Sequence, residues 1–103
     1  MSARYFVRLR AELDIADIAA YLARQSPEVA CQFYDATTFT FEQLAESAEM
    51  GEVVRISNRR FDGLRAWQVR GFRNHIIYYF PVDGGIDVVR VLHAARDRDA
   101  VLE

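Results

Sequence analysis

Residues 75–97 read HIIYYFPVDGGIDVVRVLHAARD, and the pairing of this stretch decides the fold. Valine, isoleucine and tyrosine dominate two runs that flank Asp83-Gly84-Gly85. Branched and aromatic side chains suit a pleated surface, and glycine tolerates the positive φ of a tight turn, so the pattern predicts an antiparallel hairpin. Both faces of that hairpin are partly apolar. What covers each face is therefore the main question the sequence poses.

Working outward, residues 64–70 alternate and predict another strand. Pairing it with the hairpin across Gly71-Phe72-Arg73-Asn74 puts Trp67 and Val69 on one face with Ile76, Tyr78, Phe80, Val89 and Val91. This is the expected core face. The opposite face then carries Gln68, Arg70, Ile77, Tyr79, Val88, Arg90 and Leu92. A register slip of one residue exchanges the two faces.

Residues 4–9 alternate as a short strand, and from Ala11 the period becomes helical. Ile15, Ile18, Ala19 and Leu22 share a face, with Glu12, Asp14 and Asp17 near the N-terminal end, where the macrodipole favours acid. Ser26-Pro27 restarts a helix as N-cap and first helical residue. Its buried stripe is Ala30, Phe33, Thr37, Phe41, Leu44 and Ala48, and Phe39 projects away from it. Gly51 ends the helical region, and residues 53–56 are expected to add an edge strand. Two helices cover only one side of such a sheet, so the second face is expected to meet solvent or another molecule.

At 103 residues the chain is expected to form a single domain, residues 1–103. No apolar run reaches the roughly 18 residues that a membrane span needs, and the N-terminus lacks a secretory pattern, so a cytoplasmic protein is expected. Cys31 is the only cysteine, which excludes an internal disulfide. All 13 basic residues are arginine, so no mechanism here uses a lysine. The net charge of −2 conceals an asymmetry: residues 55–73 carry six Arg and one acid, Asp62. That local patch suits nucleic acid or an acidic protein, but it is too small for an autonomous DNA-binding domain.

Catalytic chemistry is sparse. His75 and His93 lie on separate strands without a metal-ligand spacing, and no glycine loop of the phosphate-cradling kind occurs. No metal or cofactor is expected. Ribonuclease-type acid–base chemistry needs converging groups, for which Arg70, Arg90, Tyr79 and His93 are the candidates.

Several segments together resemble the ParE branch of the RelE/ParE superfamily of bacterial type II toxins. Ala11, Asp14, Ile15, Ile18 and Tyr21 are similar to that family's first helix, and Pro27, Ala30, Phe33, Leu44 and Gly51 to its second. Gly63-Leu64-Arg65, Tyr79, Pro81 and Arg90-Val91-Leu92-His93 with Arg96-Asp97 resemble its sheet and terminal signature. Departures are Ala48 or Glu49 where a proline is common, His75 where a tyrosine is usual, and Phe80 where a basic residue often sits.

The resemblance implies an α+β fold of order β-α-α-β-β-β(-β). The first strand lies beside the last, and an N-terminal helical hairpin packs on one face of a mainly antiparallel sheet. It implies a toxin that is not an enzyme, neutralised by a ParD-like antitoxin in a hetero-oligomer and acting on DNA gyrase. Contact with operator DNA runs only through the antitoxin. Tyr21, Phe39, Ile77, Tyr79 and Leu92 are the expected antitoxin contacts. Arg65, Arg70, Arg90, His93, Arg96 and Asp97 are the expected target contacts, with the toxic determinant in a polar C-terminal end that the core does not need; the alternative is a short helical cap in which Val101 and Leu102 dock on the sheet edge and the charges are solvated. The alternatives are a ribosome-dependent messenger-RNA endonuclease of RelE type and a non-toxic antitoxin-binding relative. The absence of lysine, the lack of a tyrosine after Tyr79 and the mildly acidic charge favour the gyrase reading.

Overall fold

The computed structural model describes residues 3–94 and 97–102. In chain order the elements are β1 (Arg4–Val7), α1 (Leu9–Gln25), α2 (Pro27–Glu46), β2 (Glu52–Val53), β3 (Arg65–Val69), β4 (Phe72–Val82), β5 (Gly85–His93) and α3 (Arg98–Leu102). The strands form one sheet in the order β1-β5-β4-β3-β2. Only β1 and β5 run parallel; the other neighbours are antiparallel. The architecture is the expected α+β arrangement, with the helical hairpin on one face of the sheet.

The hairpin of helices follows its sequence signals. Ser26 Oγ accepts a hydrogen bond from Val29 N at 3.3 Å, and Pro27 opens α2. Ala11, Ile15 and Ala19 from α1 and Ala30, Phe33, Phe41 and Leu44 from α2 are buried together against the sheet. Leu9 begins α1 instead of ending the first strand. The strand stops early because Arg8 N bonds Val88 O as the last link to β5, while the Arg8 side chain forks onto Asp87 at 2.9 and 3.2 Å. At the other end of β1 the backbones come so close that a Cβ on Gly85 would collide with the Arg4 carbonyl, so glycine is required there.

The register differs from the sequence expectation by one residue, and the two sheet faces are exchanged along β4. Trp67 faces Ile77 and Arg65 faces Tyr79. The cause is the turn. Gly71, at φ +80°, closes the β3–β4 connection immediately after Arg70, and the ladder is irregular between Gln68 and Val69. Ile77 and Tyr79 therefore belong to the helix-side core, while Ile76, Tyr78 and Phe80 point the other way. A second irregularity makes Val89 an extra residue between the pairs Tyr78–Arg90 and Tyr79–Val88. This bulge sends Val89 and Val91 to opposite faces, where simple alternation placed them together.

The second face is not left open, contrary to expectation. Leu64, Tyr78, Val89, Leu92 and Leu102 form a separate buried cluster, with Val54, Ile56, Phe61 and Val101 packed against it. The loop before β3 and the short α3 thus supply the layer that α1 and α2 cannot. Leu102 is fully buried, so the C-terminal segment is part of the core and not a dispensable polar tail. Leu102→Ala should lower unfolding stability by about 2–4 kcal/mol. Urea denaturation measures this, and an unchanged midpoint would show that α3 adds nothing to the core.

Candidate partner-binding surface

Among the described residues, two uncovered apolar features of the helix side involve exposed aromatic rings. The first is a groove of about 300 Å³ between β1, α1 and α2, walled by Tyr5, Val7, Ile15, Tyr34 and Phe41. Tyr5 leans on Phe41 with ring centroids 5.3 Å apart, yet Tyr5 and Tyr34 stay 36% and 47% exposed. Elsewhere on β1 and α1, Phe6, Leu9 and Leu13 are also exposed. β1 is an edge strand whose sole neighbour is β5, so its outer backbone groups lie open beside the groove. Contiguous apolar surface beside an unpaired strand edge marks an interaction site.

The second feature is a shallow depression bounded by Asp35, Ala36, Phe39, Arg70 and Gly71. The Arg70 guanidinium lies over the Phe39 ring, 4.9 Å from its centroid. Backbone bonds hold this pair in place: Arg70 N donates to Thr40 Oγ1 at 3.1 Å, and Thr40 Oγ1 donates to Ala36 O at 2.7 Å. A cation over an exposed aromatic face contributes about 0.5–1 kcal/mol. It also keeps the ring upright and ready for contact. Phe39 lies off the buried stripe, as its helical position predicts, and Tyr21 is likewise exposed, with Arg24 beside its ring.

Three of the expected antitoxin contacts are not at the surface. Ile77 and Tyr79 are buried in the helix-side core, as the shifted register requires, and Leu92 lies on its expected face but is buried in the second cluster under the loop before β3 and α3. Tyr79 has a structural task instead. Its hydroxyl donates to Ala48 O at 2.6 Å and accepts from Gly51 N at 2.9 Å, which ties the α2–β2 connection to the middle of the sheet. Arg65 works on the same connection through Nη1, which donates to Gly51 O at 2.6 Å and Glu49 O at 3.1 Å. Burial pushes the Tyr79 phenol above its ordinary value, with the Gly51 N–H and the Arg65 charge opposing the shift more weakly.

The expected target residues are also largely engaged. Arg90 forks onto Asp14, Nε to Oδ2 at 2.7 Å and Nη2 to Oδ1 at 2.9 Å, and Asp14 Oδ2 also accepts from Val91 N at 3.1 Å. The Arg90 guanidinium is held above its ordinary value, first by the Asp14 hydrogen bonds and with help from the charge of Asp97. His93 faces His75 across the ladder with ring centroids 5.7 Å apart, and His75 in turn packs on Phe33. Arg96 lies outside the described residues. Of the target set, Arg90, His93 and Asp97 gather near the end of β5, whereas Arg65 and Arg70 serve other places. Among the described residues no three metal-ligating side chains converge, and no helix is long and apolar enough to cross a membrane.

The sequence matches the family of ParE toxins of type II toxin-antitoxin systems, parDE, over residues 5–98. The chain belongs to this family. A comparison with curated proteins returned no match. Membership of the ParE family makes the chain a toxin-type protein and implies an antitoxin partner. The Tyr5–Tyr34 groove with its strand edge is an exposed apolar surface of this ParE-family chain. Sequence reading did not single it out, although Tyr5 and Tyr34 sit where strand and helix periodicity point them away from the deepest core. Asp14 was legible only as a favourable charge near a helix start; its partner lies 76 residues away in sequence.

Two measurements follow from these contacts. Asp14→Ala strands the mostly buried Arg90 charge and should destabilise the fold by about 3–5 kcal/mol, read by chemical denaturation; a loss below that range would make the pair a surface ornament. Tyr79→Phe leaves the Gly51 N–H and Ala48 carbonyl without this partner and should lose about 1–3 kcal/mol at neutral pH. Because the folded-state value of Tyr79 is raised, its stabilising effect is complete below the ordinary phenol value near 10 and fades as pH rises through the folded value. Thermal melts above about pH 10 should therefore fall more steeply for the wild type than for Tyr79→Phe.

Proposed function

We propose that this ParE-family chain poisons DNA gyrase by binding it, without catalysis of its own, and that a ParD-like antitoxin holds it inactive in a cytoplasmic hetero-oligomer. The antitoxin's C-terminal part lies along the Tyr5–Tyr34 groove and reaches Phe39 and Tyr21. Its N-terminal part carries the contact with operator DNA. The target surface comprises Arg70 together with the β5 end, His93, Arg96 and Asp97.

The observation that carries the choice of mechanism is the employment of the cationic and phenolic groups. A ribonuclease needs a convergent set of groups free to bind phosphate and move protons. Here Arg90 is forked onto Asp14, Arg65 onto two carbonyls, and Tyr79 is buried with both hydrogen-bonding roles filled. The absence of lysine and the net charge of −2 likewise suit a protein target better than an RNA-dense one.

The test pairs gyrase with supercoiled plasmid, and translating ribosomes with messenger RNA, each with the purified chain added. Linear plasmid that accumulates only with gyrase present, and that disappears when the antitoxin is added, is the expected result. Codon-specific messenger cleavage would establish the endonuclease reading in its place, and silence in both assays with intact antitoxin binding would mark a non-toxic relative. In the same preparation Phe39→Ala and Tyr34→Ala should each weaken antitoxin binding by about 1–3 kcal/mol. Their melting temperatures should stay close to the wild type, because neither ring lies in the buried core.

A further inference from the structure

On the sheet face opposite the helical hairpin, where α3 meets the β2–β3 edge, Arg98, Arg55, Glu52 and Tyr78 line a cavity of about 140 Å³. The Arg98 Nε is buried and has no acceptor among the described residues. Among the described residues neither guanidinium is in an ion pair; the ion pairs described are Arg8–Asp87 and Arg90–Asp14. Glu52 shares the wall but pairs with neither arginine. Two arginines and one glutamate give the lining a formal charge of +1 (2 − 1).

A buried charged donor without an acceptor is costly, and native proteins leave few such groups without a reason. One acceptor that answers two guanidiniums together is a compact oxyanion, because the planar arginine fork matches the oxygen spacing of phosphate. The size agrees. At roughly 30 Å³ per water molecule the cavity has room for about four to five waters, enough to admit a phosphate group. Arg59 and Arg60 follow Arg55 in the same loop and are exposed, which extends positive charge beyond the cavity along the chain.

We propose that this cavity is a phosphate-binding site in which Arg98 and Arg55 hold one phosphate group, either free or as a phosphodiester of a nucleic-acid strand that runs on toward Arg59 and Arg60. The proposal uses no part of the toxin reading and stands or falls without it.

The purified full chain is titrated with inorganic phosphate by calorimetry, and with a labelled DNA duplex by fluorescence anisotropy over a range of chloride concentrations. Saturable binding is expected, weakened about tenfold or more by Arg55→Gln and by Arg98→Gln, the loss that one charge-assisted contact represents. Duplex binding at least about tenfold tighter than free phosphate, with a salt slope that falls by about one for each arginine removed, identifies the phosphodiester as the source. Duplex binding no tighter than free phosphate identifies the small anion. Circular dichroism checks each variant. Should Arg98→Gln fail to fold, the exposed Arg55→Gln decides alone. The proposal is overturned if neither probe binds saturably, or if Arg55→Gln leaves the binding of both unchanged.

Discussion

The carboxylate of Asp14 is the contact on which the arrangement of the layers depends. β1 pairs with β5 only as far as Val88, and beyond that point the edge of β5 needs another partner. Asp14 supplies it, accepting from Val91 N while forking onto Arg90. One side chain of α1 thereby does the work of a strand and fixes the helix against the centre of the sheet. A buried carboxylate is tolerable only with such full pairing, since an isolated one would cost far more than its packing returns. The position of α1 then sets that of α2, and the two together with β1 shape the groove at Tyr5 and Tyr34.

The sheet is apolar on both sides, and the chain covers it in two different ways. Long helices bury one face through a continuous stripe, whereas the other is closed by the irregular residues 54–64 and the last turn at Leu102. The bulge at Val89 makes this possible, because it delivers Val89 and Leu92 to the second cluster while Val88 and Val91 stay in the first. With both faces closed, the sites left for partners lie at its perimeter: the open edge of β1, the outer side of the helices, and the rim where α3 meets β2 and β3. Under the proposed function the antitoxin and target surfaces meet at the Phe39–Arg70 pair.

Much of the candidate site was hidden for one physical reason, register. Phe39 was readable as an exposed ring because helix phase is local and spans only a few turns. Ile77 and Tyr79 were assigned to the wrong face because the side of a sheet a residue faces depends on turn length and on bulges, which shift with a single residue, whereas Leu92 lies on the expected face and is buried because residues 54–64 and Leu102 cover it. Gly71 and Val89 carry that information, but a glycine near a turn and one valine among several do not announce it.

The sequence by itself determined the helical hairpin through Ser26-Pro27 and the stripe from Ala30 to Leu44, the β4–β5 turn through Asp83-Gly84, and the family through its ordered pattern over residues 5–98. Each of these rests on interactions within a few residues or on a pattern that survives small shifts. Tertiary structure alone decided that Asp14 meets Arg90, that Tyr79 clamps the chain at Gly51 and Ala48, and that Arg55 and Arg98 share a cavity. These contacts join residues from 28 positions apart, for Gly51–Tyr79, to 76, for Asp14–Arg90. Their partners are chosen by strand register and layer packing, which no local pattern of residues encodes.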